Sequence, residues 1–371
     1  MIIVLAIIVA FLAYANGAND NFKGVATLFG SGTASFKRAI GWATICTLAG
    51  SVCAVSLTGT LLKTFSGKGL IEEALVVKPE FAACVAVGAG LTVLIATRFG
   101  VPISTTHGLL GALLGTGFAA GSVIDSSQLL TSFAAPLLFS PLLAIVATTL
   151  VYPVLRTLRL RLGGNSQSCL CIGTQVLEVV PACDAVHMNA AQERIAVVHG
   201  QAATCRTAYS GAVLGIEVEK SLNSLHFLSA GAVSFARGLN DTPKIAALLL
   251  IMPHITPSLA LLLVGGAIAV GGLISGRRVA ETMSHKITQM NHGQGFTANL
   301  VTALIVIGAS RIGMPVSTTH VSCGTLFGIG AVNGTARWRI ILSIFGAWLV
   351  TLPIGAVMGA ISWSVVRLFY G

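Results

Sequence analysis

Charge is what this sequence has least of. Only 9% of its 371 residues are Asp, Glu, Lys or Arg, against about a quarter in an average soluble domain. So little charge cannot cover the surface of a water-soluble globule, and the soluble classes are set aside. Acid is the scarcer sign, with twelve Asp and Glu in all. Paired C-x-x-C spacing is missing among the eight cysteines. Cys169, Cys171, Cys183 and Cys205, with His187 and His199 nearby, therefore read as plain thiols and not as a zinc site. No nucleotide-binding loop, metal-ligand helix or nucleophile elbow is apparent, so nothing points to an enzyme, a metal or a cofactor. The first apolar run, residues 1–14, has no basic leader and no small-residue cleavage site, and reads as a retained helix rather than a signal peptide.

What the chain has in plenty is apolar sequence, 54% of all residues. Several runs are long enough to cross a hydrocarbon layer of roughly 30 Å. The class is a polytopic membrane protein. A net charge of +10 implies no nucleic acid, because basic residues flanking spans set topology and favour anionic lipid heads. Forty-two glycines suit close helix packing and broken helices. Cys46, Cys53, Cys84 and Cys323 lie in apolar segments, where cysteine serves as a small core residue.

Two polar motifs interrupt the apolar sequence, and each occurs twice. Arg98-Phe99-Gly100-Val101-Pro102-Ile103-Ser104-Thr105-Thr106-His107 returns as Arg311-Ile312-Gly313-Met314-Pro315-Val316-Ser317-Thr318-Thr319-His320, a shift of 213 positions. Gly111 and Gly115 follow the first copy as Gly324 and Gly328 follow the second. Gly17-Ala18-Asn19-Asp20-Asn21-Phe22-Lys23 returns as Gly238-Leu239-Asn240-Asp241-Thr242-Pro243-Lys244, a shift of 221. Two motifs repeated in the same order mean an internal duplication, the organisation of secondary transporters, whose site lies between the repeats near the bilayer midplane.

The chemistry of the motifs fits that place. Each unpaired polar group costs several kcal/mol in hydrocarbon, so clustered hydroxyls should line a cavity or bind something. Pro-x-Ser-Thr-Thr-His suits a helix start, where free N–H groups and the positive dipole end favour an anion. Ser104, Thr105, Thr106, Ser317, Thr318 and Thr319 are thus candidate ligands of an oxyanion. The bland alternative is that each hydroxyl bonds back to its own helix. Asp20 and Asp241 alone among the acids fall in motifs embedded in apolar spans, and intramembrane carboxylates are functional by default. His107 and His320 are ligands, proton carriers or packed polar residues. The Gly111/Gly115 and Gly324/Gly328 spacings read as helix packing.

The coarse spans are 1–29 (interrupted at the Asn-Asp motif), 40–62, 80–97, 103–121 and 131–155, then 226–252, 257–275, 297–310, 316–333 and 340–366. About five segments per half is odd, so the second half enters from the opposite side, giving an inverted-topology repeat. With the N-terminus outside, the inside loops hold Lys37, Arg38, Arg98, Arg156, Arg159, Arg161, Arg277, Arg278, Lys286, Arg337 and Arg339. The outside loops hold only Lys63, Lys68, Lys78, Arg311 and Arg367, in keeping with the positive-inside rule. Residues 163–224 differ in kind. A Gly-Gly-Asn-Ser linker is followed by short apolar runs at 169–172, 176–180, 195–198 and 212–218, read as strands of a small cytoplasmic insert. The expected division is 1–162 first transmembrane repeat, 163–224 insert, 225–371 second repeat.

The doubled pair, Gly17-Ala18-Asn19-Asp20 and Pro102-Ile103-Ser104-Thr105-Thr106-His107 with their partner copies, resembles the PiT family of inorganic phosphate transporters. The likeness covers both membrane halves and not the insert. It implies an all-α fold of inverted repeats with broken or re-entrant helices, usually dimeric. It also implies secondary active symport of phosphate, coupled to protons or sodium, across the plasma (inner) membrane. Some relatives carry sulfate. By this resemblance the Ser-Thr-Thr runs contact the anion, while Asn19, Asp20, Asn240 and Asp241 serve the coupling ion. The family pattern has a second Asn three residues after the Asp, where this chain has Lys23 and Lys244, and an Ala where it has Leu239. Residues i and i+3 are neighbours on a helix, so each lysine can reach its aspartate. There it takes the place of a sodium ion or contacts the anion directly. The expectation is proton-coupled phosphate symport by a homodimer. A sulfate permease and a passive anion channel or exchanger are the alternatives.

Overall fold

The computed structural model describes residues 2–161, 168–175, 194–201, 214–286 and 291–370. Its long helices are α1 (Ile2–Asp20), α2 (Phe36–Leu57), α3 (Pro79–Arg98), α4 (Thr105–Ala119), α5 (Ala135–Arg161), α6 (Val218–Ala246), α7 (Pro257–Ser275), α8 (His292–Arg311), α9 (Thr318–Asn333) and α10 (Trp338–Tyr370). Their starts follow local chemistry. Ser35 and Thr256 accept from the backbone N–H three residues on, and Asn291 with Gln294 forms a capping box. Pro79 and Pro257 occupy first-turn positions where a missing N–H costs nothing.

The chain divides into two compact units. One is Met1–Tyr152 together with His226–Gly371, and the other is Pro153–Leu225. The second carries strands β1 (Ser168–Gln175), β2 (Arg194–Gln201) and β3 (Leu214–Glu217) in the order β2-β1-β3, both pairings antiparallel. Cys171 faces Val198 in one register and Gly215 in the other. The run at 176–180, with Cys183, His187 and Cys205, lies outside the described residues.

The first unit is that of a multi-pass membrane protein. Among the described residues seven helical stretches are long and apolar enough to cross a membrane. The sequence reading had ten segments. Three of these differ, for two reasons. Helices α4 and α9 have 15 and 16 residues and so rise only about 22–24 Å at 1.5 Å per residue. Helix α6 is long enough at 29 residues but falls outside the set by composition, with Arg237, Asp241 and Lys244 in its last turns. Long stretches of α5 and α10 turn Leu138, Phe139, Leu142 and Leu143, or Leu349, Val350, Ile354 and Val357, outward. Such faces suit lipid, which is as apolar as leucine.

Without a hydrophobic drive between helices in lipid, close packing holds the bundle together. Here it runs between the sequence halves in matched pairs. A Cβ on Gly17 of α1 would lie 1.9 Å from the Ile268 carbonyl oxygen of α7, and one on Gly238 of α6 would lie 2.1 Å from that of Thr47 in α2. Gly271 meets the Tyr14 carbonyl and Gly50 that of Phe235, each at 2.0 Å. The 221-position shift converts each contact into its partner. Likewise Gly111 and Gly115 of α4 lie against α10, while Gly324 and Gly328 of α9 lie against α5. Residue i meeting j′ while i′ meets j is the mark of a two-fold relation.

Candidate functional site

Both copies of the Asn-Asp motif end a helix early. After Asp20 the backbone tightens into a 3-10 turn, Asn21–Val25, before resuming at Ala26–Gly30. After Lys244, α6 stops at Ala246 and a 3-10 turn follows, Ala247–Leu249, with Pro243 just upstream inside the helix. Pro removes a donor from the ladder and clashes with the preceding turn. Both copies of the second motif begin a helix deep in the protein. Gly100 and Gly313 take left-handed backbone at φ 69° and 74°, a conformation that glycine adopts without steric cost. The chain then reaches the N-caps Ser104 and Ser317, which accept from His107 N and His320 N at 3.2 Å.

These four ends converge. The side chains of Asn19, Asp20, Lys23, Ser104, Thr105, Thr106, Asn240, Asp241, Lys244, Ser317, Thr318 and Thr319 are all buried. Lys23 Nζ is enclosed by oxygen: it pairs with Asp20 Oδ1 and donates to Asn19 Oδ1 (2.9 Å), the Ile103 carbonyl (2.7 Å) and Thr319 Oγ1 (2.6 Å). Lys244 Nζ donates to the Val316 carbonyl (2.7 Å) and Thr106 Oγ1 (2.8 Å), with Asp241 Oδ1 at 3.5 Å. Each lysine thus takes a carbonyl from its own half and the last hydroxyl of the opposite half. Thr319 also donates to the Ile103 carbonyl at 2.9 Å, joining the two helix starts directly.

The remaining hydroxyls have other partners. Thr105 donates to Asp20 Oδ2 at 2.9 Å and Thr318 to Asp241 Oδ2 at 3.3 Å. Ser104 and Ser317 cap their helices, the self-bonding alternative of the sequence reading, so only Thr106 and Thr319 answer to the lysines of the other half. The two histidines meet at 4.5 Å between ring centroids, and His320 stacks on Trp348 at 3.9 Å. His107 Nδ1 lies 2.9 Å from Ser104 Oγ.

Sequence reasoning missed four participants. Asn16 donates to Asp20 Oδ2 (2.9 Å) and Thr105 Oγ1 (3.1 Å), completing the first carboxylate's shell. Thr97 accepts from Asn19 Nδ2 at 3.0 Å, and its counterpart Ser310 donates to Asn240 Oδ1 at 3.1 Å. Arg237 is buried within α6. Extending the 221-position alignment upstream would have exposed one of these relations, since it pairs Asn16 with Arg237. A narrow crevice with no room for a water molecule borders the cluster, lined by Asn16, Thr105, Thr106, Leu109, Asp241, Lys244 and Ile245. A separate cavity of about 640 Å³ is lined by Arg98, Arg277, Arg278 and Glu281, and also by Thr97, the hydroxyl that holds Asn19.

Broken helices that meet at a buried, doubled polar cluster define a class: membrane transport proteins built around discontinuous helices. The chain belongs to the phosphate transporter family, whose sequence profile matches residues 16–359. A Pyrococcus horikoshii protein that carries a phosphate permease name is 27% identical over 403 residues, covering 99% of this chain and 98% of that one. The chloroplastic inorganic phosphate transporter 2-1 of Arabidopsis thaliana is 26% identical over 96% of this chain and 71% of its own length. Among solved structures, one titled "The sodium-dependent phosphate transporter" superposes with a TM-score of 0.76 at 22% identity, covering 99% of both chains. It shares the fold.

Proposed function

We propose that the protein is a secondary active transporter that takes inorganic phosphate across the plasma membrane by proton symport, independently of sodium. The substrate class follows from the family. The observation that carries the coupling is the environment of Lys23. Its ammonium sits among a carboxylate, an amide oxygen, a backbone carbonyl and a hydroxyl, an all-oxygen set of the kind that holds a hard cation. Here the cation belongs to the chain.

In this reading the anion is held between the helix starts by Thr106, Thr319, Lys23 and Lys244, with the motif's N–H groups behind them. Ser104, Ser317, Thr105 and Thr318 build the frame. Asn19, Asp20, Asn240 and Asp241 hold the lysines and exchange the coupling proton with them as the site opens. The exchanged packing between halves supports an inverted repeat that rocks about this cluster. The cavity at Arg98, Arg277 and Arg278 is its cytoplasmic mouth, with the N-terminus outside. The protein works as a homodimer.

The test is uptake of labelled phosphate into proteoliposomes at fixed pH with sodium replaced by choline, with and without an imposed proton gradient. Concentrative uptake driven by protons alone is expected. Strict sodium dependence of the wild type would overturn the coupling. Equilibration without accumulation would make the protein a channel or exchanger. Stronger competition from sulfate than from unlabelled phosphate would reassign the substrate. In the double variant Lys23→Asn/Lys244→Asn, uptake should acquire sodium dependence.

A further inference from the structure

Five Asp, Glu, Lys or Arg side chains are buried among the described residues: Asp20, Asp241, Lys23, Lys244 and Arg237. The first four form two pairs. Arg237 is left over. It is 1% exposed, and Nε and both terminal nitrogens lack any hydrogen-bond partner. It lies four residues before Asp241, one helical turn, and its charge acts on Asp241 and on Asp20 of the opposite half. A buried donor without a partner is costly, and a buried cation more so. The cluster as a whole holds one positive charge in excess, in the part of a membrane protein where charge is dearest.

The duplication sharpens the anomaly. The position that corresponds to Arg237 is Asn16, whose amide closes the shell of Asp20 by bonding it and Thr105. Arg237 makes neither of the equivalent bonds to Asp241 and Thr318. The second carboxylate is instead held by longer contacts, 3.5 Å from Lys244, 3.3 Å from Thr318 and 3.1 Å from Asn240. The narrow crevice borders this looser side, at Asp241 and Lys244. A guanidinium with every N–H free, beside a cluster short of one negative charge, matches an oxyanion, whose oxygens accept two parallel N–H bonds from the planar fork.

We propose that Arg237 is a direct ligand of the transported oxyanion, a third cation that breaks the two-fold symmetry of the site and seats the anion on its second-half side. This rests on the phosphate transport proposed above. The competing role is a plain counter-charge for Asp241, and the choice of variants separates the two. Arg237→Gln removes charge and fork, while Arg237→Lys keeps the charge and loses the fork. Binding of labelled phosphate to the purified, detergent-solubilised protein is measured beside its melting temperature. For Arg237→Gln the phosphate Kd should rise about ten- to hundred-fold, the value of a hydrogen bond to a charged group. Arg237→Lys should melt like the wild type and still bind several-fold more weakly, with the rise in melting temperature that phosphate gives the wild type reduced. A wild-type Kd in Arg237→Lys overturns the proposal, whether or not Arg237→Gln folds. A wild-type protein that neither binds nor transports phosphate overturns both readings. One that transports it while both variants bind normally overturns this one alone.

Discussion

The two carboxylates of the site are sequence copies of one another, yet they are held differently. Asp20 is gripped by Lys23, Thr105 and Asn16, the last two at 2.9 Å, and Lys23 has Asn19 as a further ligand. Asp241 has contacts of 3.1–3.5 Å, and Lys244 has no amide oxygen among its acceptors, while Asn240 Oδ1 accepts from Ser310. Around them the frame is even: a Cβ added to the matched glycines would lie 1.9 and 2.1 Å from the matched carbonyl oxygens in one pair and 2.0 Å in both members of the other. A symmetric scaffold therefore carries an asymmetric site, a tight first half and a yielding second half. A transporter needs one side of its site firm enough to hold a reference geometry and another that can give way to substrate.

The largest effect should come from removing the carboxylates. Asp20→Ala strands a buried ammonium and should cost about 3–5 kcal/mol. Asp241→Ala should cost clearly less, since Lys244 already lies 3.5 Å away and keeps Val316 and Thr106. Thermal unfolding of the solubilised variants reads the difference, and equal losses would break the comparison. Next come the threonines. Thr105→Val removes a donor to Asp20 and an acceptor for Asn16, about 1.5–3 kcal/mol for a bond to a charged group. Thr318→Val, with one contact at 3.3 Å, should melt closer to the wild type.

Much of this site was legible in the sequence. The doubled motifs named both carboxylates, both lysines and the six hydroxyls. The i,i+3 spacing announced the Asp–Lys pairs, and the GxxxG spacings announced close packing. The partner of each lysine in the other half was not legible. Lys23 and Thr319 lie 296 residues apart, and no periodicity reports a contact that only the closed fold creates. Span length misled for a related reason. The apolar runs at 103–121 and 316–333 look like crossings, but their first residues belong to extended backbone that enters the site, leaving helices too short to span. Arg237 carried a weaker signal, a lone charge in the motif's shadow whose meaning depends on the absence of partners.

The frame should respond evenly where the site does not. Gly17→Ala and Gly238→Ala each force a methyl onto a carbonyl oxygen, at 1.9 and 2.1 Å. Overpacking of this kind costs about 1–3 kcal/mol. The two losses should agree closely, and a large difference would place asymmetry in the scaffold itself.

The smallest expected effect tests the helix starts. Ser104 and Ser317 accept from equivalent backbone N–H groups at the same 3.2 Å, and replacing such a cap by Ala costs about 0.5–2 kcal/mol. The caps are equal, but their second contacts are not. Ser104 Oγ also meets His107 Nδ1 at 2.9 Å, fixing that ring beside His320, whereas the His320 ring is held by its stack on Trp348. Ser104→Ala should therefore lower the melting temperature more than Ser317→Ala. Because both oxygens serve the helix, phosphate affinity should stay within about threefold of the wild type in each, below the tenfold that one lost bond to a charged group produces. A tenfold loss in either variant would return that serine to the anion. The same loss in both would mean that the second half is no more yielding than the first.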